Sequence, residues 1–457
     1  MSKTKEEILI ISENCVGKSF DEIDKLYILS EEGNKGALGH VIEENVFSYS
    51  RNSNPHKDFP EADMELKVTP YKKNKNGTYS AKERLVLNII NYMTEHRNSF
   101  YESSFWEKNS NLLLFLYEHI DNKNRKDFII SHIYDMEYDK NELKIIKQDY
   151  EIIRLKILKG KAHEISEADT MYLGACTKGA TALSSFREQP FSDLKAKQRA
   201  YSFKTTFMTQ KVREIISSKK YESIFVDESL NEKLSFEQNI ASRIKKYYGK
   251  TENELRKLFG VLSDSKAIYE IIFGKMLGIK GKISKTEEFL KADIVPKFIR
   301  LKQNGKITES MSFPTFKFTE IYEHGFEESE IYEYFTTKKF LFVVFEYSSH
   351  NELVFSHIKL WNMPMSIIEY DLRKVYNNIR SLIMEGKIVK SIDENGRRLT
   401  YFPDKGYNPY IHIRPHARNI SDVYHLPVAD KLTKLESFTK QCFWLNNDYV
   451  SEIISEK

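Results

Sequence analysis

Two related α/β (α+β) domains in tandem, each a mixed central sheet flanked by helices, are what this sequence predicts, and three observations predict them. The chain has 457 residues, too many for one ordinary core, because domains cluster near roughly 100–200 residues and then divide. Blocks of the first half recur in the second in the same order, which implies an internal duplication. Each half also alternates helical and period-two segments around an Asn-Gly turn, the strongest short-range hairpin signal.

The repeat runs through every element. Val16-Gly-Lys-Ser-Phe-Asp-Glu-Ile-Asp-Lys-Leu-Tyr27 is echoed by Tyr248-Gly-Lys-Thr-Glu-Asn-Glu-Leu-Arg-Lys-Leu-Phe259, and Ala62-Asp-Met-Glu-Leu-Lys67 by Ala292-Asp-Ile-Val-Pro-Lys297. The turns Asn76-Gly77 and Asn304-Gly305 follow. The helical stretch Ile145 to Lys161, ending Lys159-Gly-Lys, is matched by Ile368 to Lys387, ending Glu385-Gly-Lys. Tyr172-Leu-Gly-Ala-Cys-Thr-Lys178 aligns with Tyr410-Ile-His-Ile-Arg-Pro-His416, and Lys197-Gln198 with Lys440-Gln441. The expected domains are 1–220 and 240–457, with 221–239, in and beyond the Lys/Ser/Glu-rich stretch from Ser217 to Ser235, as linker.

Composition narrows the class. An apolar share of 40% with 27 Tyr and 29 Phe supplies large side chains for two cores and argues against disorder. No segment approaches the roughly 20 apolar residues of a membrane span, so no membrane partner is expected and a cytoplasmic location is. Cys15, Cys176 and Cys442 are scattered and form no CxxC pair, which excludes a zinc ribbon and fits a reducing compartment. The formal charge of +4 is too small to attract a polyanion by itself, so any such partner must meet a local patch.

Phosphodiester hydrolysis by a hard divalent cation needs an oxygen cage and a cation beside the phosphate or attacking water. In Met64-Glu-Leu-Lys-Val-Thr69 the strand alternation turns Glu65 and Lys67 to one face. Asp58, just before Pro60, can return a second carboxylate to that face through a hairpin-like turn. Upstream, Gly36-Ala-Leu-Gly39-His-Val-Ile-Glu43 reads as a helix presenting Glu43. An ExK strand alone is commonplace in a chain that is 30% charged, and its ordinary reading is a solvated strand.

The ensemble, however, resembles a known family. Gly39/Glu43, then Asp58/Glu65/Leu66/Lys67, then Lys108 in Phe105-Trp-Glu-Lys is similar to the pattern of the MutH-like endonucleases, and most of all to the Sau-type type II restriction enzymes that cut at GATC. The resemblance spans nearly the whole chain and implies two tandem domains of the MutH-like restriction-endonuclease fold. It implies Mg2+ held by Asp58, Glu65, the Leu66 carbonyl and Glu43, with Lys67 positioning water and Lys108 facing the phosphate. It also implies double-stranded DNA as substrate, room for a dimer that forms on DNA, and a cognate DNA methyltransferase as a genetic partner. In the second half Glu288 stands for Asp58, Val295 for Glu65, Lys297 for Lys67, and Phe273 or Gly274 for Glu43, so that half is expected to bind and regulate without cutting.

Cations alternate with aromatics along Lys195-Ala-Lys-Gln-Arg199-Ala-Tyr-Ser-Phe-Lys204, from which Lys195, Lys197, Arg199 and Lys204 are candidate phosphate contacts, with a solvated amphipathic helix as the plain reading. Lys178, in Thr177-Lys178-Gly179, and Arg414 with His416 sit where the family's base-reading loop falls, and Lys440 matches Lys197. His412 and His416 invite a metal reading that lacks further ligands at the right spacing. Trp361 and Trp444 are expected in the second core. Two other readings stand beside a restriction enzyme: a MutH-type mismatch-repair nickase, which the duplication disfavours, and a catalytically inactive DNA-binding protein.

Overall fold

The structure is a computed structural model that describes residues 3–49, 56–178, 185–225, 230–262, 267–308 and 310–455. It divides into two compact units. One comprises Met1–Phe236 together with Ser284–Asp293, and the other Glu237–Ile283 with Ile294–Lys457.

In the first unit the strand Glu65–Lys73 lies parallel to Leu112–Glu118 and antiparallel to Tyr79–Ala81, while Leu112–Glu118 pairs antiparallel with Ile130–Met136. Leu112–Glu118 is the centre because Leu-Leu-Leu-Phe-Leu-Tyr has apolar residues on both faces, as a strand covered on both sides requires. A second sheet joins Leu85–Ile89, Arg199–Phe203 and Leu173–Thr177. The expected single sheet is thus split in two. Between Ile130–Met136 and Leu173–Thr177 in sequence runs the helix Lys140–Leu158, opened by an Asp139/Glu142 capping box. Its buried Asp149 accepts the backbone N–H groups of Met171, Tyr172 and Leu173 at 2.6–2.9 Å, which ties the helix to the start of the second sheet.

The second unit repeats this plan internally. Ile294–Leu301 is parallel to Lys339–Tyr347, which is antiparallel to Leu353–Trp361; Met311–Phe316, Gln441–Leu445 and Ile411–Pro415 form the other sheet. The details recur residue by residue. Ser19 and Thr251 each close a capping box, and Gly17 and Gly249 each donate to the strand carbonyl of Ile130 or Phe355. Asp63 and Asp293 both take left-handed backbone just before their strands. Gly160 and Gly386 are also left-handed, and a Cβ on Gly386 would lie 2.6 Å from the Ala429 carbonyl oxygen, so only glycine fits. Such agreement in strained positions is the structural record of the duplication.

The join departs from the sequence reading. Residues 221–236, expected as linker, belong to the first unit: Ile224, Phe225 and Leu230 are buried, and Lys144 donates to the Leu230 carbonyl at 2.7 Å. Ser284–Asp293, counted with the second domain from sequence, belongs there too. Its Lys291 is buried against Glu142 at 2.6 Å and pairs with Glu287, while Lys211 meets Glu142 at 2.7 Å. Burial alone would raise the Glu142 carboxyl, but Lys291 and Lys211 outweigh it and hold it below its ordinary value.

Breaking one partner of a buried pair leaves an uncompensated charge, which costs about 3 kcal/mol or more. Lys291→Met is therefore expected to lower the unfolding free energy of the chain by about 3 kcal/mol, read from denaturant titration. An unchanged midpoint would place Ser284–Asp293 outside the first unit's cooperative core.

Candidate active site

Asp58 and Glu65 face each other because the chain reverses between them. Phe59 and Met64 form an antiparallel bridge, exchanging backbone hydrogen bonds of 3.0 and 3.1 Å, and Pro60–Ala62 turns once before the left-handed Asp63. Lys57 clamps this turn from below: its buried Nζ donates to Asp63 Oδ1 and Ser110 Oγ, each at 2.5 Å. The sequence reading did not single out Lys57, since a lysine beside an acidic motif carries no signal of burial. With the turn closed, the Asp58 N–H donates to Glu65 Oε2 at 3.2 Å, and the Leu66 N–H donates to Asp58 Oδ2 at 3.0 Å.

Glu65 is only 2% exposed. Its Oε1 accepts from Lys67 Nζ at 2.6 Å and lies 3.5 Å from Lys108 Nζ. Lys108 comes from the short helix Ser104–Asn109, capped by Ser103. Glu43 lies in the π-helical turn Ile42–Val46 that continues the helix Ala37–Val41, a feature found often at functional sites. Burial pushes the Glu43 carboxyl up, with Asp58 and Glu65 adding repulsion against the pull of Lys67. Burial also raises Glu65, where Asp58 works against Lys67. Glu43, Asp58, Glu65, Lys67 and Lys108 therefore share one electrostatic site in the first unit.

That site fits a hard divalent cation. Its carboxylates offer oxygen donors only, and two of them are held above their ordinary values by burial and by their neighbours' negative charge, both of which a bound cation would offset. Another acidic group, Asp139, Glu142 and Glu287, brings carboxylate oxygens within 4.8 Å of one another, yet Lys211 and Lys291 already neutralise it. It is a structural charge network.

The candidate DNA contacts divide. Arg199 and Lys204, expected on a cationic surface, are buried: Arg199 donates to the Ala175 carbonyl at 2.6 Å and Lys204 to that of Thr170 at 2.7 Å. The stretch is a hairpin strand followed by an inner strand buried along its whole length, not a helix, so the cations at the two ends of that inner strand are buried with it. Lys195 is exposed and pairs with Glu188 at 2.8 Å, and Lys197 is half-buried. Lys178 ends the Leu173–Thr177 strand half-buried, and Gly179 after it lies outside the described residues.

In the second unit Arg414 and His416 are exposed, and Lys440 pairs with Asp422 at 2.6 Å. Trp444, expected in the core, is half-buried and carries Arg414 over its ring at 5.1 Å with His416 alongside. Trp361 does pack on the second core. His412 shares no site with His416. It is fully buried, with Nδ1 on the side-chain Oδ1 of Asn446 at 2.5 Å. Glu288 lies in the first unit, bonded to Ser223 and to the Ile224 N–H. Val295 brings no carboxylate to the second unit's first strand, and Phe273 is buried core.

Residues 47–149, which hold four of the five clustered side chains, match the family model described as DNA mismatch repair enzyme MutH, so the first unit carries a MutH-type nuclease domain. Over 487 aligned positions, covering 99% of this chain and 99% of the relative, the sequence is 35% identical to the type II restriction enzyme Sau3AI of Staphylococcus aureus. The chain belongs to the MutH-like type II restriction endonucleases. It is accordingly a site-specific deoxyribonuclease acting on double-stranded DNA, and nucleases of this fold generally depend on a divalent metal. Among the described residues no helix is long and apolar enough to cross a membrane.

Burial pushes His412 down to about 4, so it is neutral in the folded chain, with no partner for Nε2. The unfolded chain takes up that proton near the ordinary histidine value of 6.5. Stability from this group is thus full above pH 6.5 and falls as pH drops toward 4, by about 3 kcal/mol in all. His412→Gln is expected to flatten that slope in pH-dependent urea melts; an unaltered slope refutes the assignment.

Proposed function

We propose that the first unit cuts DNA at Asp58, Glu65 and Lys67, and that the second unit is a pseudo-nuclease that binds a further duplex and favours cutting by the first. The observation that carries the reading is the buried Glu65 carboxylate, faced by Asp58 and clamped by Lys67. Its counterpart in the second unit is Val295.

Asp58, Glu65, the Leu66 carbonyl and Glu43 would hold Mg2+, the ion implied by the resemblance. When bound it supplies positive charge at the scissile phosphate and makes water more acidic. Lys67, latched to Glu65 in this structure, orients the attacking water. The water oxygen bonds to phosphorus as the P–O bond to the leaving oxygen breaks. Lys108 offsets charge on the phosphoryl oxygens. The recognition sequence we propose, GATC, rests on the family resemblance, as do a dimer that forms on DNA, a cytoplasmic location and a cognate methyltransferase. Lys178, Lys195 and Lys197 in the first unit and Arg414, His416 and Lys440 in the second remain the proposed DNA contacts.

Asp58→Ala and Glu65→Ala are each expected to lower the cleavage rate by roughly 10²–10³-fold or more while duplex binding without divalent ions stays within a few-fold of normal. Near-normal cleavage by both variants would refute the assignment. Calcium, which accepts looser geometry than magnesium, is expected to support binding without turnover. Efficient cutting in calcium alone would refute the magnesium reading. For the second unit, two-site DNA should be cut faster than one-site DNA by the full chain, with Arg414→Ala reducing that advantage; equal rates on both substrates reduce the second unit to a support.

A further inference from the structure

The strand Ile294–Leu301 has the first unit's lysine without its carboxylate. Lys67 is neutralised by Glu65 at 2.6 Å, but at Glu65's position the second unit has Val295. Lys297 Nζ donates to the Ser312 carbonyl at 3.3 Å and lies 5.5 Å from the Phe313 ring centre, neither of which cancels its charge. Beside it opens a cavity of about 180 Å³ lined by Lys297, Arg300, Ile307, Ser310, Met311 and Ser312 among others, and none of the described lining residues is acidic. Arg414 reaches its rim, with Nη1 3.5 Å from Ser310 Oγ while the guanidinium rests on Trp444.

We propose that this cavity, which opens along the strand that carries Val295 in place of a metal ligand, seats a phosphodiester of the DNA backbone, with Lys297 as the cation at its wall and Arg414 at the neighbouring base edge. The inference rests on the second unit binding a duplex, as proposed above, and names where its phosphate sits. Exchanging Glu for Val inverts the local charge: a cage that concentrates negative charge for a cation becomes a cationic wall that selects an anion. Ser310 and Ser312 add hydroxyl donors of the kind that hold phosphate oxygens. Burial lowers the Lys297 amine from its ordinary value, and an anion beside it favours the charged form. Free phosphate shares this chemistry, so the test separates the two sources.

The experiment uses the full chain, because Ser284–Asp293 belongs to the first unit and a dissected second half would lose it. In calcium, binding of a GATC duplex is titrated beyond one duplex per chain. Lys297→Gln is expected to weaken the second binding step roughly tenfold near 0.1 M salt and to make its log–log salt slope shallower by about 0.9, one phosphate contact. Lys297→Arg should keep most of the affinity. A single neutral methylphosphonate linkage should reproduce the loss in the unaltered chain and add nothing in Lys297→Gln. If Lys297→Gln fails to fold, the methylphosphonate scan of the unaltered chain and Lys297→Arg decide. A second step with unchanged affinity and slope in Lys297→Gln, or a methylphosphonate scan without a sensitive linkage, overturns the phosphate seat while leaving DNA binding by the second unit intact. A chain that binds only one duplex refutes the reading on which the inference rests. Inorganic phosphate protecting Lys297 from acylation while a second duplex does not would assign the cavity to free phosphate and overturn the DNA source.

Discussion

The chain must reverse between Phe59 and Met64 for Asp58 to meet Glu65, and the site depends on that reversal. The Phe59–Met64 bridge sets the register, Asp63 takes a left-handed conformation to close it, and Lys57 secures it from beneath. Period-two alternation then delivers Lys67 beside Glu65. Parallel pairing of Glu65–Lys73 with Leu112–Glu118 brings the chain that follows Lys108 to the same end of the sheet, since Glu65 is in register with Leu112. A buried carboxylate is costly unless something positive meets it. Here two lysines do, Lys67 from the same strand and Lys108 from the helix that precedes its parallel partner.

Where chemistry and local pattern coincide, the sequence is legible. The D-x6-E-x-K spacing is the length of one tight turn plus one strand alternation, so Asp58, Glu65 and Lys67 could be read together, and the Asn-Gly turns at Gly77 and Gly305 both take the positive φ that marks them. The duplication was legible for the same reason, because each echo rests on a cap, a glycine or a turn. Cationic surface was not. Arg199 and Lys204 look like a patch in a linear reading, but tertiary pairing of Arg199–Phe203 between two strands turns them inward to carbonyl acceptors. Charge says nothing of burial until strand neighbours are known.

The boundary between units was hidden by a related cause. A Lys/Ser/Glu-rich stretch reads as linker, yet Ile224, Phe225 and Leu230 are buried, and Ser284–Asp293 supplies Lys291 to a buried network around Glu142. Such a network adds little net stability over apolar packing but is intolerant of partial assembly. It makes that segment an obligate part of the first unit, although it lies between two stretches of the second in sequence.

Duplicated domains begin with the same electrostatic design, and one substitution on a buried strand is enough to separate them. A carboxylate at position 65 makes its neighbouring lysine half of an ion pair; an apolar side chain at position 295 leaves the same lysine beside a cavity with no acid among its described lining residues. The repeat preserves the strand, the left-handed aspartate before it and the parallel partner that positions it, so the difference is local while the scaffold stays shared. The direction of divergence is constrained as well. Losing a carboxylate destroys a cation cage at once but leaves a positive wall, which still favours a phosphate. A pseudo-active site in a nuclease is for that reason more readily converted to holding DNA than to any ligand that must be recognised by new contacts.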